Sequence, residues 1–183
     1  MKVKILEGIL AIVKKKGVNF TMDDLAAELS MSKKTLYRVF PNKSSMLREL
    51  DDYVFGCIKQ EKEKIIHDDS LTDDERFYRI LCVIPEGMEE LNLSGLYRSK
   101  NSYPDHHARL AERMREDWGS TAAVLEQAIE AGYFRRIDKE LFRVVYMAAL
   151  ERFLTQDDLY QIGVSYADAL AKLSRVLVEG IRA

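Results

Sequence analysis

The stretch TMDDLAAELSMSKKTLYRVFPNK, residues 21–43, decides the fold. It reads as a short helix, a tight turn, a second short helix and the opening of a third. Thr21 stands where an N-cap belongs, and Asp23 and Asp24 place negative charge in the first turn, where the helix dipole favours it. Leu25, Ala26 and Leu29 supply a buried face, with Ala26 small enough for two helices to cross closely. Met31 reads as an apolar plug in the turn and Ser32 as the N-cap of the second helix. In that helix Leu36, Val39 and Phe40 gather on one side at about 100° per residue. Lys34 and Arg38 fall opposite them, flanked by Lys33, Thr35 and Tyr37. Stability alone does not call for so basic a solvent face. Pro41 stops the helix, and Asn42 caps the next one with Lys43 in its first turn. The layout is that of a helix-turn-helix, whose second helix enters the DNA major groove.

Charge along the chain agrees with a DNA-facing end. The formal net charge is −2, but residues 1–50 carry +5 and the remainder −7. A basic head on an acidic body suits a protein that meets DNA with one end. On this reading Lys33, Lys34, Thr35 and Arg38 are the base-edge candidates, since Lys and Arg suit guanine O6 and N7. Thr21, Ser32, Tyr37 and Lys43 are the phosphate candidates. Lys14, Lys15 and Lys16 close the first helix, where positive charge also suits the dipole.

The run LAAELSMSKKTLYRVFPNKSSML, residues 25–47, resembles the N-terminal DNA-binding domain of the tetracycline-repressor (TetR) family. That family's pattern, Ser-x-x-Thr-Leu-Tyr-x-x-Phe ahead of a lysine, is met by Ser32, Thr35, Leu36, Tyr37, Phe40 and Lys43. The preceding helix, with Ile5, Leu6, Ile9 and Val13 and then Gly17 before Phe20, also looks like the family's first helix and loop. Two positions depart from the pattern. Ser30 stands where the family usually has glycine after the helix, and Arg38-Val39 replaces an aromatic-His pair. The second departure puts the base contacts, rather than the fold, in question.

With 183 residues, three prolines, nine glycines and no alternating β-branched run, the chain reads as all-α, with about nine helices. Helices are expected over residues 2–16, 43–66, 73–84, 105–131, 138–153 and 156–181, besides the two in the motif. Pro85 is expected to open a further short helix, and residues 92–104 read as a long loop. The domains implied are 1–47, a helix-turn-helix head, and 48–183, a helical effector-binding and dimerisation body, joined by one continuous helix. From Ile162 to Ile181 the apolar residues sweep roughly 240° of the last helix, far more than a one-sided stripe needs. The helix from Asp138 has a similar surplus. A homodimer built on these two helices follows. Its interface candidates on the first are Leu141, Val145, Ala149 and Phe153. On the second they are Ala167, Leu170, Ala171, Ser174, Leu177 and Val178.

The resemblance further implies a repressor that binds a palindromic operator as a dimer and is released by a small-molecule effector. A pocket for that effector could draw on Met88, Tyr97, Tyr103 and Met114, and on Trp118, Tyr133, Phe134 and Tyr146. A DNA-binding protein without an effector, architectural or protein-partnered, is the alternative, and a metal-dependent helical enzyme is the remoter one. Adjacent His106 and His107 point about 100° apart on a helix and cannot share a metal as an i, i+4 pair would. No phosphate loop, nucleophile elbow or zinc-protease motif is present, so no enzyme activity, metal or cofactor is expected. Cys57 and Cys82 lack metal or disulfide spacing and read as thiols in a reducing compartment. No signal peptide or membrane span is apparent, so a cytoplasmic location is expected.

Overall fold

Six residues that can cap a helix set the architecture. Thr21, Ser32, Asn42, Thr72, Asp138 and Ser165 each accept a hydrogen bond from the backbone N–H three residues on. Each therefore satisfies one of the orphan donors at a helix start. The computed structural model describes residues 2–16, 20–89, 109, 112–113, 116–156 and 158–183. Among them are nine helices: α1 (Lys2–Lys16), α2 (Met22–Glu28), α3 (Lys33–Val39), α4 (Lys43–Ile66), α5 (Asp73–Leu81), α6 (Trp118–Glu130), α7 (Lys139–Thr155), α8 (Asp158–Gln161) and α9 (Tyr166–Ile181). The extended structure among these residues is one isolated antiparallel bridge, Phe134 to Arg182, which ties the chain end to the loop after α6.

The apolar residues divide into two clusters. The first joins α1, α2, α3 and the start of α4 through fully buried Ile9, Leu25, Leu36, Phe40 and Leu47. Met88 packs on it from the turn after α5. The second gathers α5, α6, α7 and α9 around Phe77, Leu125, Ala128 and Leu150. Helix α4 serves both, since Leu50 and Val54 lie in the first while Ile65 and Ile66 pack on the second. At 1.5 Å per residue its 24 residues reach about 36 Å.

Three expected boundaries change. Helix α5 stops at Leu81 rather than near residue 84, and Pro85 opens a turn, not a helix. Gly87 adopts φ 76°, and the Met88 N–H bonds back to the Pro85 carbonyl at 3.0 Å. The last helix is interrupted as well. Gly163, at φ 66°, closes α8, and Ser165 then caps α9 afresh. Ile162 lies outside both helices and 68% exposed, so the apolar sweep counted from it overstated the last helix. The expected loop over 92–104 and the start of the helix from 105 lie outside the described residues.

Candidate nucleic-acid interface and effector cavity

The turn between α2 and α3 is closed by a paired-bond cap. The Met31 N–H donates to the Ala26 carbonyl at 2.9 Å, and the Ser30 N–H to Ala27 at 3.2 Å. This is the Schellman arrangement, which needs a left-handed residue after the helix. Gly132 after α6 and Gly163 after α8 close their helices with the same pair of bonds, at φ 82° and 66°. Ser30 does so at φ 50°, and it is the non-glycine residue with positive φ among those described. A Cβ in that conformation costs about 1 kcal/mol. The departure from glycine noted in the sequence is therefore a point of backbone strain.

Helix α3 is anchored by one side and presents the other. Leu36 is fully buried and Phe40 nearly so, while Lys33, Lys34, Tyr37 and Arg38 are exposed. Their chemistry is not uniform. The Lys33 ammonium lies 2.6 Å from Asp23 of α2, an exposed pair of little intrinsic worth that DNA contact could break cheaply. Thr35 is half-buried, its hydroxyl 2.8 Å from that of Ser32. Ser32 in turn accepts from the Thr35 N–H at 3.1 Å. Thr21 is likewise engaged, donating its hydroxyl to Asp24 at 2.7 Å and accepting from the Asp24 N–H at 3.1 Å. Lys43 turns inward. Its ammonium donates to the Phe20 carbonyl at 2.5 Å and sits 4.5 Å from the centre of the Phe20 ring. Partial burial lowers its pKa, opposed by the charge of Asp24.

A second site opens where α4 crosses α5, α6 and α7. A cavity of ≈ 160 Å³ lies there, walled largely by aliphatic and aromatic side chains. Of the residues expected at a pocket, Met88, Trp118 and Tyr146 line it. Tyr133 and Phe134 do not: Tyr133 is 41% exposed, and Phe134 packs edge-on to Phe77 at 5.6 Å in the second core. Tyr97, Tyr103 and Met114 lie outside the described residues, as do His106 and His107. The polar members Asp51, Lys62, Asp117 and Thr121 were not anticipated. Their signal was present, because Lys62 continues the i, i+4 stripe of Leu50, Val54 and Ile58 along α4. Lys62 is 9% exposed and pairs with the Asp117 carboxylate. The Tyr146 phenol donates to the Leu81 carbonyl, and burial raises its pKa well above the usual value.

The dimer candidates also separate. Leu170, Ser174 and Val178 are at most 4% exposed, so they pack inside their own subunit and offer nothing to a partner. They sit on the face of α9 turned toward α5 and α7, which the sequence could not tell from the outer face. Leu141 and Val145 are 60% and 46% exposed. Ala149, Phe153, Ala167, Ala171 and Leu177 are half-buried. Among the described residues no group of His, Cys, Asp and Glu is arranged to hold a metal, and no helix is long and apolar enough to cross a membrane. Cys57 and Cys82 are separate, half-buried thiols.

Comparison with known proteins meets this geometry at both levels. Residues 5–50 match the family model described as bacterial regulatory proteins, tetR family. A protein of Bacillus subtilis (strain 168) described as the uncharacterized HTH-type transcriptional regulator YvaF is 28% identical over 183 residues, spanning 100% of this chain and 96% of its own. The fold is shared with a TetR-family regulator from Cytophaga hutchinsonii at TM-score 0.73 and 17% identity, over 100% of this chain and 94% of that one. It is also shared with FadR from Bacillus subtilis, solved in complex with stearoyl-CoA, at TM-score 0.68 and 17% identity, over 98% and 96% of the two chains. Residues 5–50 thus carry this family's motif on a helix-turn-helix head, and along its whole length the chain is similar to an HTH-type transcriptional regulator and shares the fold of TetR-family regulators.

Proposed function

We propose that this regulator is a homodimeric, one-component repressor that binds a palindromic operator through two α3 helices and is released by a small molecule. The observation that carries the reading is the course of α4. It begins at Lys43 beside the recognition helix and runs unbroken to the cavity, whose wall it supplies through Asp51, Val54, Ile58 and Lys62. A molecule bound there acts on the helix that sets the position of the DNA-binding head. The same helix is fastened to the segment before α6 by charge: Asp52 accepts from Arg109 at 3.1 Å and Arg113 at 2.6 Å, while Lys62 meets Asp117. A ligand that prefers one setting of α4 shifts the population toward it, and only to the extent of that preference. The division at residues 47 and 48 then separates the reading head from the sensing body, with α4 crossing it.

Within the head, Lys34 and Arg38 read base edges with Lys33 and Thr35 beside them, while Thr21, Ser32, Tyr37 and Lys43 position the backbone. Dimerisation through α7 and α9 is supported by an exposed apolar row, Leu141, Val144, Val145 and Ala148, at i, i+3, i+4 and i+7 on α7. Val176 of α9, 68% exposed, adds to the unburied apolar surface. The relative solved with stearoyl-CoA supports a small effector in this fold.

Selection of duplexes from a random-sequence library by the purified full-length chain tests the reading. Enriched sites should be inverted repeats with half-sites whole helical turns apart, about 34–36 Å or a multiple of it. Sedimentation should give an even number of chains per site. Enrichment of a single non-repeated half-site by a monomer would sink the proposal.

A further inference from the structure

Two carboxylates stand side by side in the first turn of α2, and they have different partners. Asp24 completes the cap. It accepts from the Thr21 N–H at 2.8 Å and from the Thr21 hydroxyl at 2.7 Å. Asp23 takes no part in the cap. Its carboxylate, 63% exposed, accepts instead from the Lys33 ammonium at 2.6 Å. Lys33 is ten residues further on and opens α3, so the contact ties the two helices of the motif together.

The pair sets Lys33 apart from the other cations of α3. Lys34 and Arg38 are exposed and make no ion pair among the described residues. Lys33 meets a duplex with its charge already answered by the protein. To reach a phosphate it must leave one anionic oxygen for another, and both contacts are exposed and screened, so the exchange gains little. A cation displaces the counterions of DNA only when it neutralises a phosphate. While Lys33 stays on Asp23 it adds nothing to that release.

Resting on the assignment of α3 to DNA, we infer that Asp23 is an intramolecular competitor for the duplex: it holds Lys33 off the phosphates and so keeps sequence-independent binding weak and less dependent on salt. The residue acts on DNA through Lys33. Its place in the cap of α2 does not require the charge, because Thr21 and Asp24 supply that cap between them.

Asp23→Asn keeps the size of the side chain and removes its charge, and at so exposed a position it should leave the helical circular dichroism unchanged. The full-length chain is titrated with a random-sequence duplex at salt from about 50 to 200 mM, a range over which phosphate contacts are read as a slope of log affinity on log salt. Asp23→Asn should steepen that slope by about 0.9, the worth of one more phosphate. At the low-salt end it should bind about two- to fivefold more tightly, the scale of one exposed ion pair. Asp23→Glu, which keeps a carboxylate for Lys33, should stay near the native slope. In a Lys33→Ala background, Asp23→Asn should leave the slope where it was. An equal steepening in that background would show that the carboxylate acts on DNA directly. A native slope for Asp23→Asn in the native background would show that Lys33 is not withheld. Either result overturns the inference and leaves the DNA assignment of α3 in place. A native chain that binds neither the random duplex nor any selected one removes that assignment, and the inference with it.

Discussion

The ammonium of Lys43 reaches back from the first turn of α4 to the carbonyl of Phe20, 2.5 Å away, and covers the Phe20 ring. The residue the sequence offers as a phosphate contact thus also pins the chain entering α2 to the start of α4. Lys43→Met keeps the stem over the ring and removes the donor. It should cost about 1 kcal/mol in chemical denaturation, the worth of one partly buried hydrogen bond. Affinity for selected and random duplexes should fall by the same factor, because any phosphate contact it makes carries no sequence information. A change in the preferred sequence would contradict this assignment.

Lys34 and Lys33 are neighbours with different ties, and their variants should differ. Lys33 is paired with Asp23, whereas Lys34 is exposed on the face opposite Leu36. Lys34→Ala should alter the base preferred at one or two positions of the half-site, at a cost of about 1–3 kcal/mol against the native choice. Lys33→Ala should move the consensus less. Repeating the duplex selection with each variant checks both, and an unchanged consensus for Lys34→Ala removes it from the base-reading set.

Ser30 holds a left-handed conformation that Gly132 and Gly163 hold without strain. Ser30→Gly should therefore stabilise the protein by about 1 kcal/mol, offset in part by greater freedom of the unfolded chain. Ser30→Ala keeps the strain and should gain nothing. Thermal melting of the two variants side by side makes the comparison. Equal melting temperatures would mean that the turn tolerates a Cβ at no cost.

The exposed row on α7 predicts an oligomeric change without a folding defect. Leu141→Asp and Val145→Lys replace side chains already 60% and 46% exposed in the single chain. Each should leave the helical circular dichroism intact while shifting sedimentation toward the monomer and weakening operator binding. A dimer that persists in the double variant would place the interface elsewhere.

Tyr146 gives the pH dependence a sign. Burial raises its pKa in the folded protein above the unfolded value of about 10. Its contribution is fully present below pH about 10. Above that the unfolded chain gives up the proton and the folded one keeps it, so stability falls as the pH climbs. The slope is at most about 1.4 kcal/mol per pH unit. Tyr146→Phe lowers stability at neutral pH by losing the bond to Leu81, yet should flatten the alkaline decline. Urea midpoints from pH 8 to 11 measure it, and an unaltered alkaline slope would show that the phenol titrates normally.

The local signals carried the head of the molecule. The caps Thr21, Ser32 and Asn42, the stop at Pro41 and the spacing of Leu25, Leu36 and Phe40 act within a few residues, and each holds in the structure. So does the unbroken α4, whose periodic run holds no proline and passes through Gly56 as helix. Periodicity says that a residue faces something apolar, but not what. Leu170, Ser174 and Val178 look alike to a partner subunit and to the neighbouring helices, and packing gave them to the latter. The same limit hid the cavity. That Lys62 meets Asp117 and Thr121, residues 55 and 59 positions away, depends on how α4 crosses α6. That the buried Trp118 Nε1–H finds no acceptor among the described residues depends on which side chains the fold brings near it. The sequence by itself determined most of the helices, the caps that start them and the basic face of α3, since these follow from short-range hydrogen bonds and charge. The tertiary structure alone decided which apolar faces remain outside and what the interior can hold, because those depend on contacts between residues far apart in the chain.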